Sequence, residues 1–203
     1  HVFLESDLVL GIGCRFTDRH TGDINVYRGN RKFIHINIEP SEIGKIFQPD
    51  LGIVADAKKA IDALLAAAKN AKKSDWDIDV PALRKQLARK TDYDCKPINP
   101  HRVMAELNKY FGDKAVFTTG CGITQIWSGQ LQETNVARNY LPSGGAGCLG
   151  YDIPAAFGAA IATGKQTVAV MGDFGFTFHA QELAVCAKNK VPVIVVIVNN
   201  AYL

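Results

Sequence analysis

The chain has 203 residues, 47% hydrophobic and 21% charged, with a formal net charge of +3. That balance excludes a disordered or collagen-like chain, leaves enough apolar residues for one large or two smaller cores, and is too weakly basic to argue for nucleic acid or an anionic membrane as partner. The longest strongly apolar run, Val191 to Val198, falls far short of the about 20 residues that a helical membrane span needs.

Asp7 to Ile12 (DLVLGI) reads as a buried strand closed by a glycine turn at Gly11 and Gly13. A second strand follows at Lys32 to Ile38 and a short third near Gly52 to Ala55. Between them, Ser41-Glu42-Ile43-Gly44 reads as a turn of helix capped by the serine. Asp56 caps an Ala-rich helix, Ala57 to Lys69, which gathers Ile61, Leu64, Leu65 and Ala68 on one face. Strands alternating with helices predict a parallel α/β sheet. Residues 1–69 hold only about three strands, so they are expected to be the second half of a Rossmann-like domain.

Residues 70–98 mix Lys72, Lys73, Asp75, Asp77, Asp79, Arg84, Lys85, Arg89, Lys90, Asp92 and Asp94, with one short helix predicted at Pro81 to Lys90. A charge run of this kind reads as a solvated linker. From residue 99 the pattern tightens. Asn99-Pro100 starts a helix that runs to about Tyr110. Then come a strand at Ala115 to Thr118, a helix near Ile123 to Gln130 and a short strand around Asn139 to Leu141. A helix at Ile153 to Thr163, a strand at Gln166 to Met171, a helix at about His179 to Asn189 and a strand at Val193 to Val198 complete the pattern. The last strand is apolar on both faces, as a central parallel strand requires.

Five cysteines, Cys14, Cys95, Cys121, Cys148 and Cys186, are odd in number, widely spaced and without a CxxC pair. They read as reduced, mostly buried thiols in a cytoplasmic protein. His1-Val2-Phe3 lacks the basic and apolar regions of a signal peptide.

Eleven of the 18 glycines lie between Gly120 and Gly175. Three clusters make up most of them: Gly120-Cys121-Gly122, the Ser143 to Gly150 loop (SGGAGCLG), and Gly172-Asp173-Phe174-Gly175. Glycines gathered at the carboxyl edge of a parallel sheet let backbone approach a ligand. Asp173 follows one predicted strand and Asn199-Asn200 follow the next, with room between them for a single βαβ unit. The right-handed crossover puts both strand ends on the same edge, and neighbouring strands lie about 4.8 Å apart. A carboxylate and an amide oxygen can therefore converge on one cation, and a small set of oxygen donors suits Mg²⁺ shared with a substrate's phosphates. Taken singly, Asp173 reads as a helix cap and Asn199-Asn200 as a turn. Their joint spacing favours the metal reading.

The Gly172-Asp173 start, the 27-residue step to Asn200 and the SGGAGCLG loop resemble the diphosphate-binding domain of thiamine diphosphate enzymes, over about Asn99 to Leu203. Upstream, Gly13-Cys14-Arg15-Phe16, Asn37-Ile38-Glu39-Pro40 and Ala55-Asp56-Ala57 resemble the central domain of the acetolactate synthase group. Arg19-His20-Thr21-Gly22, Gly172-Asp173-Phe174 and Asn199-Asn200-Ala201-Tyr202-Leu203 resemble the glyoxylate carboligase (tartronate-semialdehyde synthase) branch of that group. The resemblance implies that Asp173 and Asn200 give side-chain oxygens, and Tyr202 its backbone carbonyl, to Mg²⁺. It implies backbone contacts to the diphosphate from Gly172, Phe174 and Gly175, with Phe174 standing where the family usually has glycine. Gly122, Ile123 and Thr124 would line the diphosphate side. Gly147, Cys148 and Leu149 would hold the bent cofactor, Gly147 accepting from its aminopyrimidine. FAD in the central domain would meet Gly13, Arg15, Arg19, Asn37, Ile38, Asp56 and Ala57.

The implied activity is a cytoplasmic lyase and carboligase that condenses two molecules of a small 2-oxo acid, glyoxylate, with loss of CO₂. The implied assembly is a homo-oligomer. An acetolactate synthase acting on pyruvate is the nearest alternative. A nicotinamide-binding module (Gly11-x-Gly13 without a third glycine) and a non-catalytic relative that binds thiamine diphosphate are further ones. His20 and His179 are of the residue type most used for acid-base chemistry, but His20 reads equally as a structural or FAD-side residue, and His179 as the opening of a helix near the metal. In this family the residue that activates the cofactor lies in a preceding pyrimidine-binding domain, so these residues alone are expected to be catalytically silent.

Overall fold

A computed structural model describes residues 2–72 and 78–202. Lys73, Asp75 and Asp77 of the charged stretch, with His1 and Leu203 at the ends, lie outside the described residues. The chain forms two compact units, His1–Leu87 and Ala88–Leu203, and each has a parallel sheet of its own.

In the first unit, α1 (Val2–Glu5) leads into β1 (Leu8–Ile12). Two short helices, α2 (Asp18–Thr21) and α3 (Ile24–Arg28), precede β2 (Lys32–Asn37). Then come β3 (Leu51–Val54), α4 (Ala57–Ala68) and α5 (Val80–Gln86). The strands pair in the order β1-β2-β3. Ile12 stands opposite Ile36 and Asn37 opposite Val54, so the three carboxyl ends share an edge. The helices α1 to α3 have no counterpart in the sequence reading, because four or five residues are too few to show a helical period.

The core of this unit is aromatic: Phe16, Tyr27 and Phe33 are buried, with Phe3, Val9 and Phe47 packed on them. Phe16 lies edge-on to Phe33 and His35. A Cβ on Gly11 would stand 2.6 Å from the Phe16 ring. Gly11 therefore belongs inside β1, where its missing side chain admits that ring, and not to the turn predicted from sequence. The expected serine cap is also corrected. The Glu39 carboxylate accepts both the Ser41 N–H and the Ser41 hydroxyl, at 3.2 and 2.8 Å. Pro40–Glu42 is thus a 3₁₀ turn capped from Glu39, with Ser41 as donor. Asp56 does cap α4, accepting from the Lys59 N–H at 3.0 Å.

The second unit comprises α6 (Pro100–Phe111), β4 (Ala115–Thr119), α7 (Ile123–Leu131), β5 (Tyr140–Pro142), α8 (Asp152–Thr163), β6 (Gln166–Gly172), α9 (Asp173–His179), α10 (Glu182–Lys188) and β7 (Val193–Val198). Its strands run in the order β5-β4-β6-β7. The Asn99 side chain accepts from the His101 N–H at 2.9 Å and Pro100 occupies the first turn of α6. Val168 and Val170 of β6 join Met104, Leu107 and Phe117 in one core, while Ala169 and Met171 join Ile153 and Ala156 in another. Alternate residues of β6 are thus buried on opposite faces, the pattern of a parallel strand between two helical layers.

Among the described residues β4 and β6 are the interior strands of this sheet, and β7 pairs with β6, with Ile194 and Ile197 at 37% and 41% exposure. Apolar residues on both faces report that layers lie above and below a strand, not where it stands in the sheet order. The helix predicted at about His179 to Asn189 is α10, a further helix, α9, precedes it, and His179 ends α9 rather than opening a helix. The chain turns into α9 directly at Asp173, a start that the glycines at 172 and 175 conceal from propensity.

Candidate functional site

The ladder between β6 and β7 runs from Thr167 opposite Val193 to Gly172 opposite Val198. Asp173 and Asn199 therefore leave the sheet side by side at its carboxyl edge. Gly172 is the residue that caps α9 and Asp173 is the first helical one, so the carboxylate is not engaged as a cap. Asp173 Oδ2 instead accepts the Ala201 N–H at 3.1 Å. In the same turn Asn199 Oδ1 accepts from Ala201 at 2.9 Å and Asn200 Oδ1 from the Tyr202 N–H at 3.2 Å. The turn bends through Ala201, at a φ of 57°. The acid and the amide thus stand at the same sheet edge, each on a different backbone N–H, and Tyr202 is in the same turn. A carboxylate has about four lone-pair sites, so one accepted N–H leaves Asp173 able to ligate. Among the described residues no group of three or more His, Cys, Asp and Glu is gathered. A cation here would rest on one carboxylate with amide and carbonyl oxygens, a hard-donor set that fits Mg²⁺.

Beside this edge lie the two other glycine clusters. Gly122 precedes α7 at a φ of 136°, with open space where a Cβ would stand, and no side chain caps the helix behind it. Ile123 is half exposed, and Thr124 is buried with its hydroxyl 3.7 Å from where a Cβ on Gly172 would lie. Leu149 is half-buried in the loop between Gly147 and Gly150, both of which have positive φ. Phe174 is exposed and Gly175 buried in the first turn of α9.

What ties these loops together is a residue that sequence reading passed over. Asp152, 1% exposed, accepts the Gly120 N–H through Oδ1. Its backbone carbonyl accepts the Thr118 hydroxyl at 2.7 Å, and the Cys121 N–H donates to the Cys148 carbonyl at 3.3 Å. Burial pushes the Asp152 carboxyl above the usual carboxylate range, and the Gly120 hydrogen bond partly offsets that. The available signal was an acid standing immediately before the wholly apolar helix IPAAFGAAIA.

Comparison with known proteins gives these loops a context. Residues 120–203 match the family described as "Thiamine pyrophosphate enzyme, C-terminal TPP binding domain", and residues 1–64 match "Thiamine pyrophosphate enzyme, central domain". The chain belongs to the thiamine pyrophosphate enzymes. It is 44% identical to the glyoxylate carboligase of Escherichia coli O157:H7, over 98% of this chain and 35% of that protein. It is 38% identical to a probable acetolactate synthase large subunit of Methanocaldococcus jannaschii, over 97% of this chain and 35% of that protein. It is 37% identical to the acetolactate synthase large subunit of Corynebacterium glutamicum, over 98% of this chain and 33% of that protein. The chain thus spans about a third of the length of the curated relatives it matches. No described helix is long and apolar enough to cross a membrane.

In the central domain of this thiamine pyrophosphate enzyme, the parallel register carries Gly13, Asn37, Ile38 and the Asp56-Ala57 start of α4 to one edge. Asn37 is 7% exposed and already engaged, donating to the Cys14 carbonyl at 3.3 Å and accepting from the Glu39 N–H at 3.0 Å. The Asp56 side chain is held by its capping bond. Gly13, Arg15 and Ile38 are exposed at this edge, and Arg19 is exposed on α2. His20 stands between Cys14 and Tyr27, its Nδ1 3.4 Å from the thiol and its Nε2 3.4 Å from the hydroxyl. Burial, and secondarily Cys14, push the Tyr27 hydroxyl up. In the other unit, a side chain at Gly150 would collide with the His179 ring, and His179 Nδ1 is buried without a hydrogen-bond partner.

Proposed function

We propose that this chain is part of a thiamine diphosphate- and Mg²⁺-dependent decarboxylating carboligase that joins two glyoxylate molecules to give tartronate semialdehyde and CO₂. The observation that carries the proposal is the meeting of the Asp173 carboxylate with the Asn199–Tyr202 turn at the paired ends of β6 and β7. Asp173, Asn200 and the Tyr202 carbonyl would hold the metal. Gly122, Ile123, Thr124, Gly172, Phe174 and Gly175 would bound the diphosphate, where exposed backbone amides suit an anion. Gly147, Cys148 and Leu149 would support the bent cofactor and keep water from it.

When bound, thiamine diphosphate supplies a nucleophilic carbon and a sink for the electron pair that decarboxylation releases. FAD would rest at the central-domain edge against Gly13, Arg15, Arg19, Asn37, Ile38, Asp56 and Ala57, and a homo-oligomer would complete the site. The choice of glyoxylate is supported by 44% identity to a glyoxylate carboligase against 37 to 38% to acetolactate synthases. Those same acetolactate synthases support pyruvate as the second reading.

The test uses the native full-length protein with Mg²⁺ and thiamine diphosphate, assaying CO₂ release from glyoxylate and from pyruvate separately. Turnover of glyoxylate is expected, and turnover of pyruvate alone would replace the substrate assignment. Asp173→Ala should abolish Mg²⁺-dependent thiamine diphosphate binding, and unaltered binding would remove the metal site.

A further inference from the structure

Two neighbouring loops at the candidate site each carry a cysteine, and the carboligase reading gives no chemistry to either thiol. The Cys121 N–H donates to the Cys148 carbonyl at 3.3 Å. That bond brings the two backbones into direct contact, the close approach that the roughly 4.4–6.8 Å Cα separation of a disulfide requires. Cys121 Sγ lies 3.8 Å from where a Cβ on Gly147 would stand, so this thiol points at the stretch that ends in Cys148. Gly147, with no side chain and a φ of 68°, leaves the space between them open. Both thiols are free; Cys148 is exposed and Cys121 half-buried. The other two cysteines of this unit are placed differently. Cys186 is buried, its thiol pushed up by that burial, and the Cys95 thiol donates to the Pro97 carbonyl.

We propose that Cys121 and Cys148 form an oxidisable dithiol, a modification site whose disulfide ties the Gly120–Gly122 loop to the Gly147–Gly150 loop. The oxidant is a peroxide. One thiolate attacks a peroxide oxygen, the O–O bond breaks, and the departing hydroxide takes up a proton as water. The second thiolate attacks the sulfenyl sulfur, the S–O bond breaks, and a second water leaves. Two thiols lose two electrons and two protons, and one hydrogen peroxide becomes two waters. The disulfide fixes the spacing of the two loops and with it the room they leave for a ligand. That consequence rests on the reading that these loops hold thiamine diphosphate, whereas the pairing itself rests on geometry alone.

The experiment treats the native full-length protein, free of cofactor, with hydrogen peroxide, blocks remaining thiols with N-ethylmaleimide and maps peptides without reduction. A Cys121–Cys148 linked peptide is expected, reversed by dithiothreitol and absent from Cys121→Ser and from Cys148→Ser. Recovery of both cysteines unlinked, or linked to other cysteines, overturns the pairing. Thiamine diphosphate with Mg²⁺ should bind the oxidised protein roughly tenfold more weakly and recover on reduction. Unchanged affinity with the disulfide in place overturns the consequence and leaves the pairing standing. Loss of binding in Asp173→Ala, read separately on reduced protein, keeps the cofactor reading distinct from both.

Discussion

Asp152 places a carboxyl in a position 1% exposed to solvent, facing the Gly120 N–H. A Cβ on Gly120 would stand 2.5 Å from Asp152 Oδ2 and 3.1 Å from the Cys148 carbonyl, so glycine there is what lets the acid approach the backbone. Burial raises the folded-state pKa of Asp152, which means the folded protein holds this proton more tightly than the unfolded chain. The resulting stability is fully present below the ordinary carboxylate value of about 3.9 and is lost as pH rises through the folded value. Asp152→Asn keeps an oxygen for the Gly120 N–H and removes the titration. Wild type should therefore lose Tm relative to Asp152→Asn as pH increases from about 4 toward neutrality. A Tm difference that stays constant over that range would show that the acid does not titrate there. In the linear sequence this residue is one aspartate at the head of an apolar helix, and its placement against the Gly120 N–H comes only from the fold.

Caps and strand registers decide the elements. Asp56 and Asn99 were legible as starts because each couples a short acceptor to a following helical period, and each does accept an amide of the first turn. Asp56→Ala should lower the unfolding free energy by about 1 kcal/mol, with Asp56→Ser recovering most of it. Chemical denaturation of the two variants measures this, and an unaltered midpoint for the alanine variant would mean that the bond is not stabilising α4. Where the elements diverged from expectation, the cause is physical in each case. Glu39 displaced Ser41 as cap because its longer side chain reaches forward to both donors of Ser41 at once. The α9 start escaped notice because glycine and aromatic residues carry weak helix propensity, and the helix exists through the packing of Phe176 onto the Ile153, Ala156, Ala169 and Met171 core. Apolarity on two faces of β7 is common to every strand of a sandwiched parallel sheet, so it marks the layers and not the sheet order.

For the whole molecule, the proposed metal anchor makes a prediction that no single loop could. Chelation by EDTA should release thiamine diphosphate from the native full-length protein, and excess Mg²⁺ should restore binding. Retention of the cofactor through chelation, followed by equilibrium dialysis, would separate cofactor binding from Asp173. The sequence by itself determined the parallel α/β class and the placing of Asp173 and Asn200 on one sheet edge. Apolar periodicity and crossover handedness are local rules that operate within one βαβ unit. The β5-β4-β6-β7 order of the described strands, the burial of Asp152 against Gly120 and the contact of Cys121 with Cys148 come from tertiary packing alone. Each of those depends on segments distant along the chain coming together in a packed interior, where burial and backbone contact are set by neighbours that no local pattern specifies.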